Sequence, residues 1–490
     1  MKNTVFLYKK SIRDKTNFMN TNLKDEIKNY LGNSFDIEAH EVVSRAGSVW
    51  VIYVDENTDK AVLSESVLKP LLDLEKFEAK EVEKLIHPPA KVERIEDAER
   101  GASEVAKGNA IIVAGQELLM LTMKKVAMRP VMEPPTSSVV KGPREGFVEN
   151  LNTNLSLLRR RLGTTKLRFE QFEVGKYSKT AVVMSYIEGI THPKIIKKIK
   201  AKIESINIDG VLDSSFIGKK LERSEESIFR QIGTTEKPDI LAHKMLEGRV
   251  GILVDGSPIA LTVPFLFIED FQDSGDYYRR DYRATVLRLV RLFGSFVAIL
   301  LPAIFVAVQE YQYRVLPLKF LITILNSTSG RPLTPTLEML FVVLLFEILN
   351  ETSLRMPKYV GMALSVVGAI VLGDTAVKAG LLSSPAVLIA ALSGIGLYCV
   401  PDDVGTFSLL RVVFVGLGGI LGLYGILLGM ICLIGYLSSL DSYGSPYLAP
   451  YAPLIVEDLQ DGMFKESNFS MKSRPKSIPN VNKTRQGEDK

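Results

Sequence analysis

The side chains able to do chemistry here are few, and the most telling are acids at positions where acids are costly. Glu347 lies inside the apolar stretch 336–350, and Asp374 closes the apolar run 359–372. A carboxylate at membrane depth needs water, a partner or an ion path. Glu347, Glu351 and Arg355 recur at a spacing of four and share a helical face. An ion pair between Glu351 and Arg355 accounts for those two, which leaves Glu347 as the functional candidate.

Beside these acids run two patterns of small residues. The helix from Tyr359 has Gly361, Ser365, Ala369 and Gly373 at intervals of four, a stripe that lets helices approach closely. Its adjoining face carries Met362, Val366 and Ile370, of the size a constriction that closes by dewetting requires. Pore lining and simple helix packing both account for this helix. Gly418, Gly422, Gly425 and Gly429 repeat the stripe in the last apolar run, where packing inside one subunit is the preferred reading. The candidate pore or gate residues are therefore Met362, Val366, Ile370, Asp374 and Glu347, and the eight small residues are candidate packing positions.

No constellation points to catalysis, and no enzyme, cofactor or metal is expected. The segment Gly142-Pro143-Arg144-Glu145-Gly146 lacks the Lys-Ser or Lys-Thr of a phosphate-cradling loop. His40, His87, His192 and His243 are scattered without ligand spacing and read as surface or turn residues. Arg159-Arg160-Arg161 has no interleaved aromatics and reads as a solvated helix end, so no nucleic-acid partner is expected.

The elements that must hold these residues divide by solvent. Residues 292–437 contain only 14 charged side chains in 146 positions. Hydrocarbon admits backbone only where N–H and C=O groups are paired internally, so the long apolar runs there should be helices. Three runs span by length, 292–308, 381–400 and 412–437; 359–372 is a shorter fourth, and 309–358 is interrupted by charges, which gives four to six spans. Cys399 and Cys432 fall inside these runs, so packing is their expected role. Arg279, Arg280, Arg283, Arg288 and Arg291 precede the first span and Lys465, Lys472, Arg474 and Lys476 follow the last, which places both flanks in the cytoplasm. The apolar run 5–8 is too short for an export signal and is followed at once by Lys9 and Lys10.

The preceding half alternates strand-like and helix-like patterns: Leu151, Leu155, Leu158 and Leu162 share one helical face, and 249–254, the turn Asp255-Gly256-Ser257-Pro258 and 259–263 read as a hairpin. The expected fold class is therefore a soluble α+β N-terminal region of two mixed α/β lobes followed by an all-α polytopic membrane domain. The lobes occupy 1–127 and 146–265, separated by a Pro-rich linker at 128–145. An amphipathic juxtamembrane segment at 266–291 leads into the helical domain at 292–437, and a basic, largely disordered tail covers 438–490.

Several short segments carry a resemblance. They are 141–149 (Lys-Gly-Pro-Arg-Glu-Gly-Phe-Val-Glu), Thr153-Asn154, 157–161, 186–189, Thr235-Glu236-Lys237-Pro238-Asp239, 248–258, Asp276-Tyr277-Tyr278 and Gly444-Ser445-Pro446-Tyr447. In that order, over about 133–453, the chain resembles the A subunit of the GerA-type germinant receptors of endospore-forming bacteria. The resemblance implies a multi-pass protein of the spore inner membrane. It implies as partners a transporter-like B subunit, a lipoprotein C subunit, further copies of the chain and membrane lipid. It also implies self-association into a nutrient-gated ion channel that triggers germination. A non-conducting scaffold that couples a nutrient-binding partner to effectors is the alternative. A secondary transporter fits worst, because the small-residue helix has no second copy in a matching position.

Overall fold

The computed structural model describes residues 22–32, 34–76, 79–86, 91–122, 141–223, 227–328, 330–355, 368, 374–467 and 469–485. Two five-stranded antiparallel sheets form the N-terminal half. The first comprises β1 (Ile37–Val43), β2 (Ser48–Val54), β3 (Lys91–Ile95), β4 (Ala110–Ala114) and β5 (Glu117–Thr122), ordered β1-β2-β4-β5-β3. The second comprises β6 (Leu167–Val174), β7 (Thr180–Ile187), β8 (Gly233–Thr235), β9 (Val250–Val254) and β10 (Ala260–Val263), ordered β6-β7-β9-β10-β8. Counted within each lobe the order is the same, so one topology is used twice.

Both sheets are covered on both faces, which explains strands of unbroken apolar residues such as β4 and β9. In the first sheet Val49, Val51, Ile112 and Leu119 pack on one side with Leu63, Val67 and Leu71. On the other side Ile52, Val54, Ile111 and Val113 meet Ala102 and Val105 of α1 (Ala98–Ala106). In the second sheet, Phe169, Val183 and Leu253 face α2 (Leu151–Arg161), whose Leu151, Leu155 and Leu158 form the apolar stripe read from the sequence. Val182, Met184 and Ile252 face Ile195, Ile199 and Ile203 of α3 (Pro193–Glu204) and Ile217 of α4 (Ser214–Leu221). The hairpin expected at 249–263 forms as β9-β10, and α5 (Pro238–Leu246) precedes it.

The lobes are tied by a buried charge. Arg159 is 1% exposed and grips Asp36 with Nε–Oδ2 2.8 Å and Nη2–Oδ1 2.9 Å, while Phe35 N donates to Phe169 O across the seam. This corrects the solvated reading of the arginine triplet. Only Arg160 and Arg161 face outward, and both pair with Glu145. The linker residues 128–140 lie outside the described residues.

The expected juxtamembrane segment is two 3-10 turns, Phe267–Phe271 and Ser274–Tyr278, and the start of α6 (Asp281–Glu310), which runs unbroken for 30 residues. Then come α7 (Leu318–Thr328), α8 (Pro335–Arg355), α9 (Ser384–Leu397) and α10 (Val404–Ser439). Two stretches among the described residues, Asp281–Glu310 and Pro401–Ser439, are apolar and long enough to cross a membrane.

The second of these does not run straight. At Gly422 the backbone takes φ 63° and ψ −149°, a region closed to side chains with a Cβ. Thr406 Oγ1 donates to Ile228 O (2.8 Å), and Tyr436 OH to the neighbouring Ser227 Oγ (3.0 Å). Thirty residues of straight helix would hold 406 and 436 about 45 Å apart. The element is therefore a helical hairpin with arms 404–421 and 423–439, each about 25 Å long. This corrects the reading of 412–437 as one tilted span. At the tip, the Tyr311 hydroxyl meets the carbonyls of Gly419 and Ile420 (2.9 Å each), which have lost their helical partners.

These contacts orient the bundle. The base, against the lobes, holds the start of α6 and both ends of the hairpin. The far end holds Tyr311, Thr336 bonded to Glu310 (2.7 Å), and Ser383 N bonded to Glu338. Thus α6 and arm 404–421 run outward, and α8, α9 and arm 423–439 run back.

The tail is not disordered where it is described. Residues 441–467 and 469–485 wrap back over the second lobe: Asp441–Ser442 pairs with Ser445–Pro446, Val481 N donates to Ile190 O, and Asn480 bridges to Thr191. Tyr447, Met471 and Ile478 are buried. Apolar anchors spaced along a mainly polar segment, rather than any helix or strand period, hold it down, which is why composition alone read it as unfolded.

Candidate functional site

Met362, Val366 and Ile370, with Gly361, Ser365, Ala369 and Gly373, lie outside the described residues. Gly368 is described, and a Cβ there would stand 2.8 Å from Leu349 Cδ2 of α8. Asp374 is exposed and pairs with Lys378 one turn on (2.7 Å), a local contact that satisfies it at the surface. Glu351 and Arg355 form the pair expected of them.

Glu347 has a partner that sequence reasoning missed. Its carboxylate takes the Ser408 hydroxyl and Arg411 Nη2, both from arm 404–421. Arg411 is 1% exposed, and its Nη1 reaches Ser393 Oγ of α9 (3.2 Å). Ser393 in turn donates to Ala298 O of α6 (2.6 Å). That carbonyl is free because Pro302, four residues on, has no N–H to give it. Four helices thus meet on one guanidinium, with Tyr398 OH bonded to Asn350 beside it. Arg411 directly precedes the run 412–437, so a reading of one tilted span put it at the boundary. Read as a hairpin, it lies about 10 Å inside the first arm.

The glycines of α10 do two jobs. A Cβ on Gly418 would stand 2.7 Å from Ala303 O, so this residue lets the hairpin close on α6. Gly425 and Gly429 face the other arm; a Cβ on Gly429 would meet Leu417 Cδ1 and Phe414 Cε1 at 2.8 Å. Gly422 makes the turn itself.

A second concentration of polar groups lies at the base, and the segments that carried the resemblance converge there. Phe147 N donates to Glu236 O (2.7 Å) and Gly256 N to Glu149 O (2.8 Å). Tyr278 OH donates to Asp239 Oδ2 (2.5 Å), and Arg291 holds Asp276 with two bonds of 2.7 and 3.0 Å. Tyr447 OH donates to Arg230 O (2.8 Å). A cavity of about 470 Å3 opens between lobe and helices, lined by Arg230, Lys237, Glu247, Glu269, Tyr277 and Asp402 among others.

Its walls are paired charges. Arg249 contacts Glu247 and Glu269, and Lys244 also reaches Glu269 (2.6 Å). Burial alone would raise Glu247, Glu269 and Asp276. The cations beside them, Arg249, Arg249 with Lys244, and Arg291 with Arg288, instead hold all three below the usual carboxylate range. Burial pushes Asp461 of the tail up, only partly offset by Arg288. Arg288 is fully buried and donates to Asp461 Oδ1 (2.9 Å) and Gly462 O (2.5 Å). Lys465 reaches Asp281 (2.9 Å), so α6 is clamped to the tail twice.

His243 is not isolated, as the scattered spacing suggested. It and Glu247 lie one turn apart on and just beyond α5, and Asp461 joins them with all three ligand atoms within 4.8 Å. The donor types suit a divalent cation, but Arg249, Arg288 and Arg485 crowd the two acids. Those guanidiniums oppose a metal and make the cluster an ion-pair lock between α5, α6 and the tail.

Comparison with known proteins places this geometry in context. A family described as "Bacillus/Clostridium GerA spore germination protein" matches residues 25–477. "Spore germination protein KA" of Bacillus subtilis (strain 168) is 34% identical over 95% of this chain and 87% of its own length. "Uncharacterized membrane protein YfkQ" of the same organism is 37% identical over 76% of this chain and 74% of its own. The crystal structure of the N-terminal domain of the A subunit of the Bacillus megaterium spore germinant receptor GerK3 aligns with a TM-score of 0.40 at 25% identity, over 49% of this chain and 92% of that one.

Proposed function

Because the chain belongs to the GerA family of spore germination proteins, we propose that it is the A-type membrane subunit of a nutrient germinant receptor in the spore inner membrane. In this reading it works with a transporter-like B subunit and a lipoprotein C subunit. Its copies associate in the lipid bilayer into a channel that nutrient binding opens. The observation that carries the reading is the base of the bundle, where the shared segments of the lobe, the start of α6 and the tail are locked by buried ion pairs. Strain in the lobe therefore reaches the helices through rigid contacts.

The directions of the described helices support six crossings. Outward α6, inward α8, inward α9 and the two hairpin arms account for five. The chain stands near the base at Arg355 and near the far end by Ser383, which supplies the sixth. An even number returns the tail to the side of the lobes, the cytoplasm. Val366 and Ile370 are proposed as the apolar gate, with Met362 beside them, and Glu347 with Arg411 as the joint that keeps the surrounding helices in register.

Reconstitution of the purified chain in liposomes, followed by cation flux, tests the channel. Flux that rises without nutrient when Val366 is replaced by Ala supports it. A chain that assembles with its partners yet conducts nothing would establish the scaffold reading instead.

A further inference from the structure

Arg230 lies on the loop that precedes β8 and faces three carboxyl groups with one guanidinium. Its Nε reaches Asp270 Oδ1 at 3.0 Å and its Nη2 contacts the same oxygen, while Nη1 takes Asp402 Oδ2 at 3.0 Å and Thr234 Oγ1 at 3.2 Å. Asp403 Oδ1 remains 3.9 Å from Nε. The fork is therefore spent on one oxygen of Asp270 and on Asp402, whose side chain is 57% exposed.

The second oxygens of Asp270 and Asp403 are both buried and have no hydrogen-bond donor among the described residues. The two side chains are 0% and 4% exposed and both face Nε of Arg230, Asp270 Oδ1 at 3.0 Å and Asp403 Oδ1 at 3.9 Å. The nearby Tyr447 hydroxyl is committed to Arg230 O. Across the cavity, Lys244, Arg249 and Glu269 satisfy one another. Two buried carboxylates facing one cation repel each other, which favours a proton held between them. A proton between the two orphaned oxygens supplies the missing donor.

We propose that Asp270 and Asp403 form a proton-binding site in which one shared proton latches the first juxtamembrane turn, which follows the second lobe, to the head of the membrane hairpin. Asp270 lies in the turn Phe267–Phe271, and Asp403 immediately precedes arm 404–421, so the proton bridges the two elements directly. Burial and the neighbouring Asp403 push Asp270 well above the ordinary carboxylate range, which agrees with this geometry. A group raised in the docked state stabilises docking at low pH and loses that effect as pH rises through its docked value. Alkalinisation of the cytoplasmic side therefore releases the hairpin.

The test uses the full-length protein in lipid nanodiscs. At neutral pH an infrared carbonyl band of a protonated, buried carboxyl is expected in wild type and D402N, and is absent from both D270N and D403N. Loss in each single variant is the mark of a shared proton, because the remaining partner ionises beside Arg230. Amide exchange at 266–272 and 399–408, corrected for intrinsic rate, supplies a second readout. Protection in wild type should fall by up to about tenfold per pH unit above the titration point, with a flat profile in D403N and D270N. A band retained in both Asn variants, or pH profiles that match wild type in both, would overturn the latch.

Discussion

The joint between Glu347 and Arg411 gives the sharpest test of how the bundle is held. Replacing Arg411 by Met keeps its length but leaves the Glu347 carboxylate with only Ser408, and about 3 kcal/mol of stability should go, because that side chain is 30% exposed and partly hydrated. Replacing Glu347 by Gln instead leaves a guanidinium that is 1% exposed with hydrogen-bond acceptors but without its counter-charge, and about 4–5 kcal/mol should go. The double variant removes both charges and should cost about 1–2 kcal/mol, since similar-sized uncharged side chains fill a buried ion pair's place well. A coupling of at least about 5 kcal/mol follows, far above the roughly 0.6 kcal/mol average of ordinary hydrogen bonds between membrane helices. The assay is denaturant unfolding of the purified full-length chain in mixed micelles for all four proteins. Additive single costs, with a coupling under about 0.6 kcal/mol, would refute the claim that four helices depend on this pair.

Other consequences are as direct. Gly422→Ala places a Cβ 3.0 Å from the Gln312 amide at a φ of 63°, and should lower stability by about 1–3 kcal/mol, read as a fall in melting temperature. Val366→Ala, by removing bulk from the proposed gate, should yield spores that leak cations or germinate without nutrient; normal dormancy at normal abundance would remove this helix as the gate. Arg159→Ala leaves Asp36 buried and unpaired and should cost about 3–5 kcal/mol, seen as faster limited proteolysis between the lobes. Glu247, Glu269 and Asp276 are all held below the ordinary value, so their contribution to docking is complete above about pH 4 and is lost as pH falls further. Cleavage of the tail by an acid-stable protease should accelerate only in that acid range.

What the sequence made legible was what has a period or a solvent preference. The stripe Leu151, Leu155 and Leu158 gave α2, the turn at Asp255-Gly256 gave β9-β10, and the thinning of charge gave the helical region. Strands β3, β6 and β8 went unread because β3 carries Lys91, Glu93 and Arg94, β6 mixes Arg168, Glu170, Gln171 and Glu173 with its apolar residues, and β8 is three residues long. With them went the repeat of one topology in two lobes. Arg411 and Arg159 went unread for a shared reason: each looks solvated in its local sequence, and its burial depends on an acid 64 or 123 positions away. Glu347 stood out in the sequence because an acid in an apolar run is visible without its partner. The hairpin was hidden in its own uniformity, since a single glycine among many turned an unbroken apolar run back on itself.

The return of the tail closes the polypeptide into a ring. Starting from the second lobe, the path goes out through α6, across the bundle, up and down the hairpin, and back through Tyr447, Lys465 and Asn480 onto the lobe and the base of α6. In an open chain the lobe could pivot on one flexible attachment and leave the helices where they were. In a closed linkage no joint turns alone. Any rotation of the lobe has to be matched by α6 at one attachment and by the hairpin at the other, so the two are driven as a couple rather than singly. Cutting the tail before Ser445 would open the ring and leave every helix present but free of that constraint.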